Sequence, residues 1–182
     1  MKQAKIKFAY SDYLLLPEER RCELIGGDFF MVPSPGFAHQ SIVMNLAVIL
    51  RDHVRRNNLG VVLVAPFDVV LSEEDVVQPD VLYISNERRS ILTEKNAQGA
   101  PDLVVEVLSP GTAERDRELK RKLYARFGVR EYWIVDPQNQ SIQVLGPGRR
   151  GLESRSVLTE GVMRSNLLPG LEMSLAGIFE KL

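Results

Sequence analysis

The sequence predicts an α/β protein of the mixed α+β kind, with a central mixed β-sheet and a helix packed on each side. PDLVVEVLSP (101–110) and VREYWIVDP (129–137) are short, almost continuous apolar runs rich in β-branched residues, the pattern of strands buried on both faces. TAERDRELKRKLYARFG (112–128) lies between them and repeats its apolar residues at helical spacing, so residues 102–136 read as a right-handed parallel strand–helix–strand unit. Upstream, SPGFAHQSIVMNLAVILRDHVRRNN (34–58) reads as a long amphipathic helix able to cover the sheet.

The remaining elements follow along the chain. Residues 11–20 predict a short helix stopped near Pro17. RCELIGGDFFMVP (21–33) predicts a hairpin, since Gly26-Gly27 suits a tight turn between two strands. The long helix places Ile42, Leu46, Ile49, Leu50 and Val54 on one face, with Gly60 just beyond its end. VVLVAPFDVVLS (61–72) and VVQPDVLYIS (76–85) read as strands, joined through the acidic turn SEED (72–75). A polar stretch, 86–100, leads to the buried strand. Thr112 is the expected N-cap of the following helix and Gly128 its stop. SIQVLG (141–146) and LESRSVLTEG (152–161) predict an antiparallel meander, and SLAGIFEKL (174–182) a final short helix. No repeat or linker divides the chain, so one domain, 1–182, is expected.

Composition narrows the class. A chain of 182 residues can bury a full core. A net charge of −1 neither demands nor forbids a nucleic-acid partner, because a basic groove can hide in a neutral total. Cys22 is the single cysteine, which excludes an intrachain disulfide and a cysteine zinc cluster. No apolar run approaches the roughly 20 residues of a membrane span, and the N-terminus lacks a signal-peptide pattern. A cytoplasmic protein is expected.

Chemistry gathers around Glu106. It sits inside an apolar strand, where an unpaired charge costs several kcal/mol. Alternation puts Asp102, Val104, Glu106 and Leu108 on one face. Asp102 lies two pleats away, about 13 Å, too far to share an ion with Glu106. It is better read as the start of the strand. Asp80 follows Pro79 at the head of another apolar strand, as proline suits a strand start. Acids on neighbouring strands can bring carboxylate oxygens to about 4 Å, close enough to share a hard cation such as Mg²⁺ or Mn²⁺. A buried ion pair is the plainer alternative.

On the predicted helix, taking Leu119 as zero, Asp116 falls at about 60° and Lys120 at about 100°, inside the apolar arc of Leu123, Phe127 and Tyr124. This pair should face the sheet, where a lysine can stand beside a metal-bound phosphate. His39 and His53 share the apolar face of the long helix and read as hydrogen-bonded core histidines, with His39 near enough to the helix start to approach the site. Arg51, Arg55 and Arg56, Arg115 and Arg117, and Arg121, Lys122 and Arg126 read as solvated helix faces. Tyr132 and Trp133 read as core packing.

These pieces resemble the restriction endonuclease family, common in bacterial genomes, of the PD-(D/E)XK nuclease superfamily. The resemblance rests on ELIGG, QPDVLYIS, PDLVVEVLSP, the D-x-x-x-K-x-x-x-Y pattern of Asp116, Lys120 and Tyr124, and GVREYWIVDP, spread over residues 23–137. It implies a restriction-endonuclease-like core and divalent-metal-dependent cleavage of DNA phosphodiesters. Asp80 then matches the motif aspartate and Glu106 its second acid, with the Val107 carbonyl as a further ligand. The superfamily pattern calls for lysine two residues after that acid, and Leu108 stands there. Lys120 is the candidate to replace it, held by Asp116, with Glu23 as a possible outer ligand. A homodimer would serve the two DNA strands. The missing lysine also keeps open a nuclease-like module that binds DNA or assembles without cutting.

Overall fold

The structure, a computed structural model, describes residues 6–17 and 21–180. A short helix α1 (Tyr10–Tyr13) opens the described chain. The predicted helix over 11–20 is therefore one turn, and its end at 18–20 lies outside the described residues. Strands β1 (Cys22–Ile25) and β2 (Asp28–Met31) form the expected hairpin, with Ile25 opposite Asp28. Gly26 and Gly27 both take positive φ, 56° and 74°, as a two-residue hairpin turn requires. Helix α2 (Phe37–Arg56) buries Ile42, Leu46, Leu50 and Val54, the predicted face.

The next four strands correct the expectation of a single sheet. VVLVAPFDVVLS is two strands, β3 (Gly60–Val64) and β4 (Asp68–Ser72), and the following stretch is β5 (Asp75–Val77) and β6 (Val81–Ser85). β3 pairs with β6, and β4 pairs with β5 across the predicted acidic turn. Together they form one long hairpin, bent where Pro66 and Pro79 interrupt its two arms. Proline has no N–H to continue a ladder, so both arms leave one sheet and enter another at the same level. The Ala65 N–H to Asp80 carbonyl bond, 3.2 Å, closes the bend.

One sheet has six strands, adding β8 (Leu103–Val107), β9 (Glu131–Asp136), β10 (Ser141–Gly148) and β11 (Gly151–Leu158) in the order β11-β10-β9-β8-β6-β3. β8 and β9 are parallel, and β9, β10 and β11 form the expected meander. The second sheet has the order β2-β1-β5-β4-β7, where β7 (Asn96–Gln98) comes from the stretch read as a polar connection. That stretch also holds a 3-10 turn, Asn86–Ile91. A two-stranded ribbon, β12 (Val162–Arg164) with β13 (Glu172–Ser174), leads into the expected short helix α4 (Leu175–Phe179).

The six-stranded sheet separates two cores. Leu103, Val105 and Val107 pack with α2 and α4 on one face. Val104 and Leu108 face the other core, with Leu123, Tyr124 and residues of the five-stranded sheet. The alternation predicted for β8 is thus the one observed, and it sends Glu106 into the second layer.

The helix after β8 differs from the ideal. Residues Arg115–Lys120 form a π-helical segment that continues as α3 (Arg121–Arg126). Thr112 does not cap it: its hydroxyl pairs with that of Ser109 at 3.0 Å. Gly128, at φ 78°, ends the helix as predicted. Leu119, at the edge of the predicted apolar arc, is 37% exposed, whereas Asp116 and Lys120 are buried. Hydrogen bonding from i to i+5 widens the turn and rotates the face, so a uniform angle of about 100° per residue fails here. Among the described residues, no helix is long and apolar enough to cross a membrane.

Candidate active site

The bend of the long hairpin meets the end of β8. Val81 lies opposite Val105, so Asp80, one residue before β6, comes beside Glu106. Asp80 Oδ2 accepts the Val107 N–H at 2.8 Å and lies 3.2 Å from His39 Nε2. The first carboxylate is thereby tied to the backbone that carries the second.

Glu106 Oε1 accepts from Lys120 Nζ at 2.9 Å and from Tyr124 OH at 2.7 Å. The same ammonium reaches Glu23 Oε1 at 2.7 Å and Asp116 Oδ1 at 3.3 Å. Glu23 Oε1 also accepts the Gln78 N–H at 3.0 Å, and Glu23 Oε2 is 3.6 Å from Arg115 Nη2. The Arg115 guanidinium lies 5.4 Å over the Phe30 ring. Tyr132 OH donates to the Asp116 carbonyl at 2.9 Å and packs edge-on against Tyr124, with ring centres 5.0 Å apart. Tyr132 is core packing, as expected, and also holds the π-helical turn against the sheet.

Glu23, Glu106, Asp116 and Lys120 are each at most 3% exposed. Burial of this kind persists only where charges compensate one another. Burial alone pulls the Lys120 pKa down, but Glu106, Glu23 and Asp116 outweigh it and raise it well above the usual lysine value, so the ammonium is charged. Burial raises Glu106 well above the carboxylate range, against the attraction of Lys120 and with Asp116, Asp80 and Glu23 adding to the rise. Burial likewise raises Asp116, opposed by Lys120 and the Thr112 hydroxyl. Burial works against charge on His39, yet its hydrogen bond to Asp80 and that carboxylate's charge raise its pKa.

The four carboxylates, His39, Arg115 and Lys120 line one cavity of about 500 Å³, walled also by the start of α2 and the 109–112 turn. Glu23, Glu106 and Asp116 pair with Lys120, Glu23 also with Arg115, and Asp80 with His39, so that with His39 counted as neutral the formal charges leave an excess of two negative charges. Asp80 Oδ1 and Glu106 Oε2 carry no hydrogen bond among the described residues. No three His, Cys, Asp or Glu side chains of the described residues converge on a single metal position. A small hard cation does not need three, because Mg²⁺ commonly takes one or two carboxylates and keeps several waters. The donor chemistry and charge excess therefore fit Mg²⁺ or Mn²⁺ on Asp80, Glu106 and the Val107 carbonyl.

The structure brings Asp80, Glu106, Val107, Lys120, Asp116, Tyr124 and Glu23 together. His39, which the sequence places near enough to approach the site, is hydrogen-bonded to Asp80. The structure corrects two readings. Glu23 contacts Lys120 more closely than Asp116 does. Arg115 belongs to no solvated face, because its side chain is 12% exposed and paired with Glu23. The predicted wheel already held that signal, since Arg115 falls about 40° before Leu119, beside the apolar arc. Asp102 starts β8 as expected but is fully buried, clasped by the Ser85 N–H at 2.7 Å, Arg130 Nη1 at 3.2 Å and Arg88 Nε at 3.4 Å.

No curated protein matches the chain. A crystal structure of "a putative nuclease belonging to DUF820" from Anabaena variabilis ATCC 29413 superposes with a TM-score of 0.80 at 19% identity, covering 94% of this chain and 97% of that one. At that identity the likeness establishes the fold, which is restriction-endonuclease-like. The model of the family described as "Putative restriction endonuclease" (Uma2) matches residues 10–176, nearly the whole chain, and the protein belongs to that family.

Proposed function

We propose that the protein is a divalent-metal-dependent endodeoxyribonuclease that hydrolyses DNA phosphodiester bonds. One observation carries the reading: Asp80 and Glu106 come from different strands to one cavity, beside a charged lysine that the next helix supplies. A bound Mg²⁺ or Mn²⁺ supplies Lewis-acid polarisation of the phosphate and a more acidic water. Asp80, Glu106 and the Val107 carbonyl would hold it. The Val107 N–H and His39 fix Asp80, while Lys120 and Tyr124 fix Glu106.

Lys120 stands in for the lysine missing at Leu108, with a difference. Its ammonium is shared among Glu106, Glu23 and Asp116. It can offset charge building on the phosphate and keep Glu106 oriented. Orienting a water would need one of those three bonds to open. DNA as partner, a cytoplasmic setting and two copies acting on the two strands belong to the same reading.

Supercoiled plasmid incubated with the protein and Mg²⁺ or Mn²⁺ tests it. Nicked or linear product should form, vanish with EDTA, and fall at least about a hundredfold in Asp80→Ala and Glu106→Ala, the scale expected for loss of a metal-site carboxylate. Cleavage that survives both substitutions sinks the proposal. Leu108, packed into the core in the expected lysine position, favours one competitor, a DNA-binding module without catalysis. That competitor gives a mobility shift with no product under any metal.

A further inference from the structure

Two arginines in the wall of the cavity each keep an unpaired donor. Arg21 lines it, yet makes no ion pair or hydrogen bond through its side chain among the described residues, and its Nε is buried without a partner. Arg115 is held at one end, by Glu23 and Phe30, and its Nε is likewise buried without a partner. Native proteins pair their buried donors, so two guanidinium Nε donors left unpaired in the wall of one cavity need an explanation, and a missing ligand is one of the few available. The cavity's carboxylates do not provide it, since they pair with Lys120, His39 and the far end of Arg115.

Their placement suits a shared anion. Arg21 stands two residues before Glu23, at the open end of the β1–β2 hairpin, where its carbonyl accepts the Val32 N–H. Residues two apart on extended backbone share a face, so the Arg21 Cα lies about 7 Å from that of Glu23, and both residues line the cavity. Arg115 approaches the same hairpin from the π-helical segment. Planar guanidinium groups with free N–H edges match the oxygens of a phosphate.

Resting on the nuclease reading of this cavity, we infer that Arg21 and Arg115 form a phosphate-gripping arm. It binds a non-scissile phosphate of the DNA backbone and sets the strand's register over Asp80 and Glu106. Such contacts position a strand without reading its bases.

Binding of a fluorescent duplex tests the arm, measured by anisotropy with Ca²⁺ replacing Mg²⁺ and repeated over a salt series. Arg21→Met should weaken binding about tenfold on any sequence and reduce the slope of log K against log salt by about 1. Arg21→Lys should restore the slope while recovering only part of the affinity, because it keeps charge and loses the fork. The Arg21 side chain makes no ion pair or hydrogen bond among the described residues, so the thermal midpoint of Arg21→Met should be unchanged; Arg115→Lys serves as the milder second variant. Unchanged affinity and slope in Arg21→Met overturn the inference. So does an Arg21-dependent site that takes inorganic phosphate but not duplex. A wild-type protein that binds DNA through Arg21 without cutting it leaves the arm standing and removes the nuclease reading. Cleavage with no Arg21 dependence does the reverse.

Discussion

Glu106 is tolerated inside an apolar strand because Lys120 and Tyr124 both bond to one of its oxygens, and the lysine is in turn ringed by Glu23 and Asp116. Leu108 shares a face with Glu106 but packs among Leu123 and the second core, so the ammonium arrives from above the sheet instead of along the strand. Removing it strands three carboxylates in a dry site. Lys120→Met should therefore lose about 3–5 kcal/mol of stability, the cost of breaking a buried pair by deleting one partner. Urea unfolding measures it; a loss under about 1 kcal/mol would show that the cluster is already open to water.

Two elements position the site, and both depart from regular structure. The π-helical turn aligns Asp116 and Lys120 toward the sheet, and such turns are common at functional sites. The bent hairpin carries Asp80 at its corner and relies on the β3–β6 register running from Gly60–Ser85 to Val64–Val81. Gly60 has φ 155°, and a Cβ there would stand 2.1 Å from the Ile84 carbonyl oxygen. The clash is with backbone, which cannot swing aside. Gly60→Ala should cost about 2–3 kcal/mol through strain and a frayed strand end. Chemical denaturation checks it, and a neutral result would mean that the strand end shifts freely.

At the scale of the whole molecule, acids outside the cavity give opposite pH dependences. Hydrogen bonds from Asn139 and Gln138, with Arg117, outweigh burial and hold Asp136 below the usual aspartate value. A depressed folded pKa contributes stability that is present above about pH 4 and lost as pH falls through the folded value. Burial raises Glu131, against its bonds from Ser165 and Asn166. A raised folded pKa favours folding below about pH 4 and loses that contribution as pH rises through it. Stability measured from about pH 2 to 7 should thus fall less steeply on the acid side in Asp136→Asn than in the native chain. In Glu131→Gln the decline on the upper side should shrink. Parallel curves for all three proteins would contradict both assignments.

Local patterns in the sequence determined the buried β8 and β9 with a helix between them, the Gly26-Gly27 hairpin, the buried face of α2 and the meander, because each is written in side-chain periodicity and turn chemistry. They also determined that Glu106, Asp116 and Lys120 face inward, since charges at apolar positions stand out against such periods. Asp80 was marked by its place before a strand, and the family resemblance supplied its role. Other features were decided only by packing. The second sheet arises because two prolines bend one hairpin across both layers, and no periodicity distinguishes a bent hairpin from two straight strands. The π-helical turn exposes Leu119 and buries Arg115 because the helix must seat Lys120 between Glu106 and Glu23, residues 14 and 97 positions from it in the sequence that only the fold brings together. Partnerships such as His39 with Asp80 depend on where α2 starts relative to the hairpin corner, a distance in space that sequence spacing does not encode.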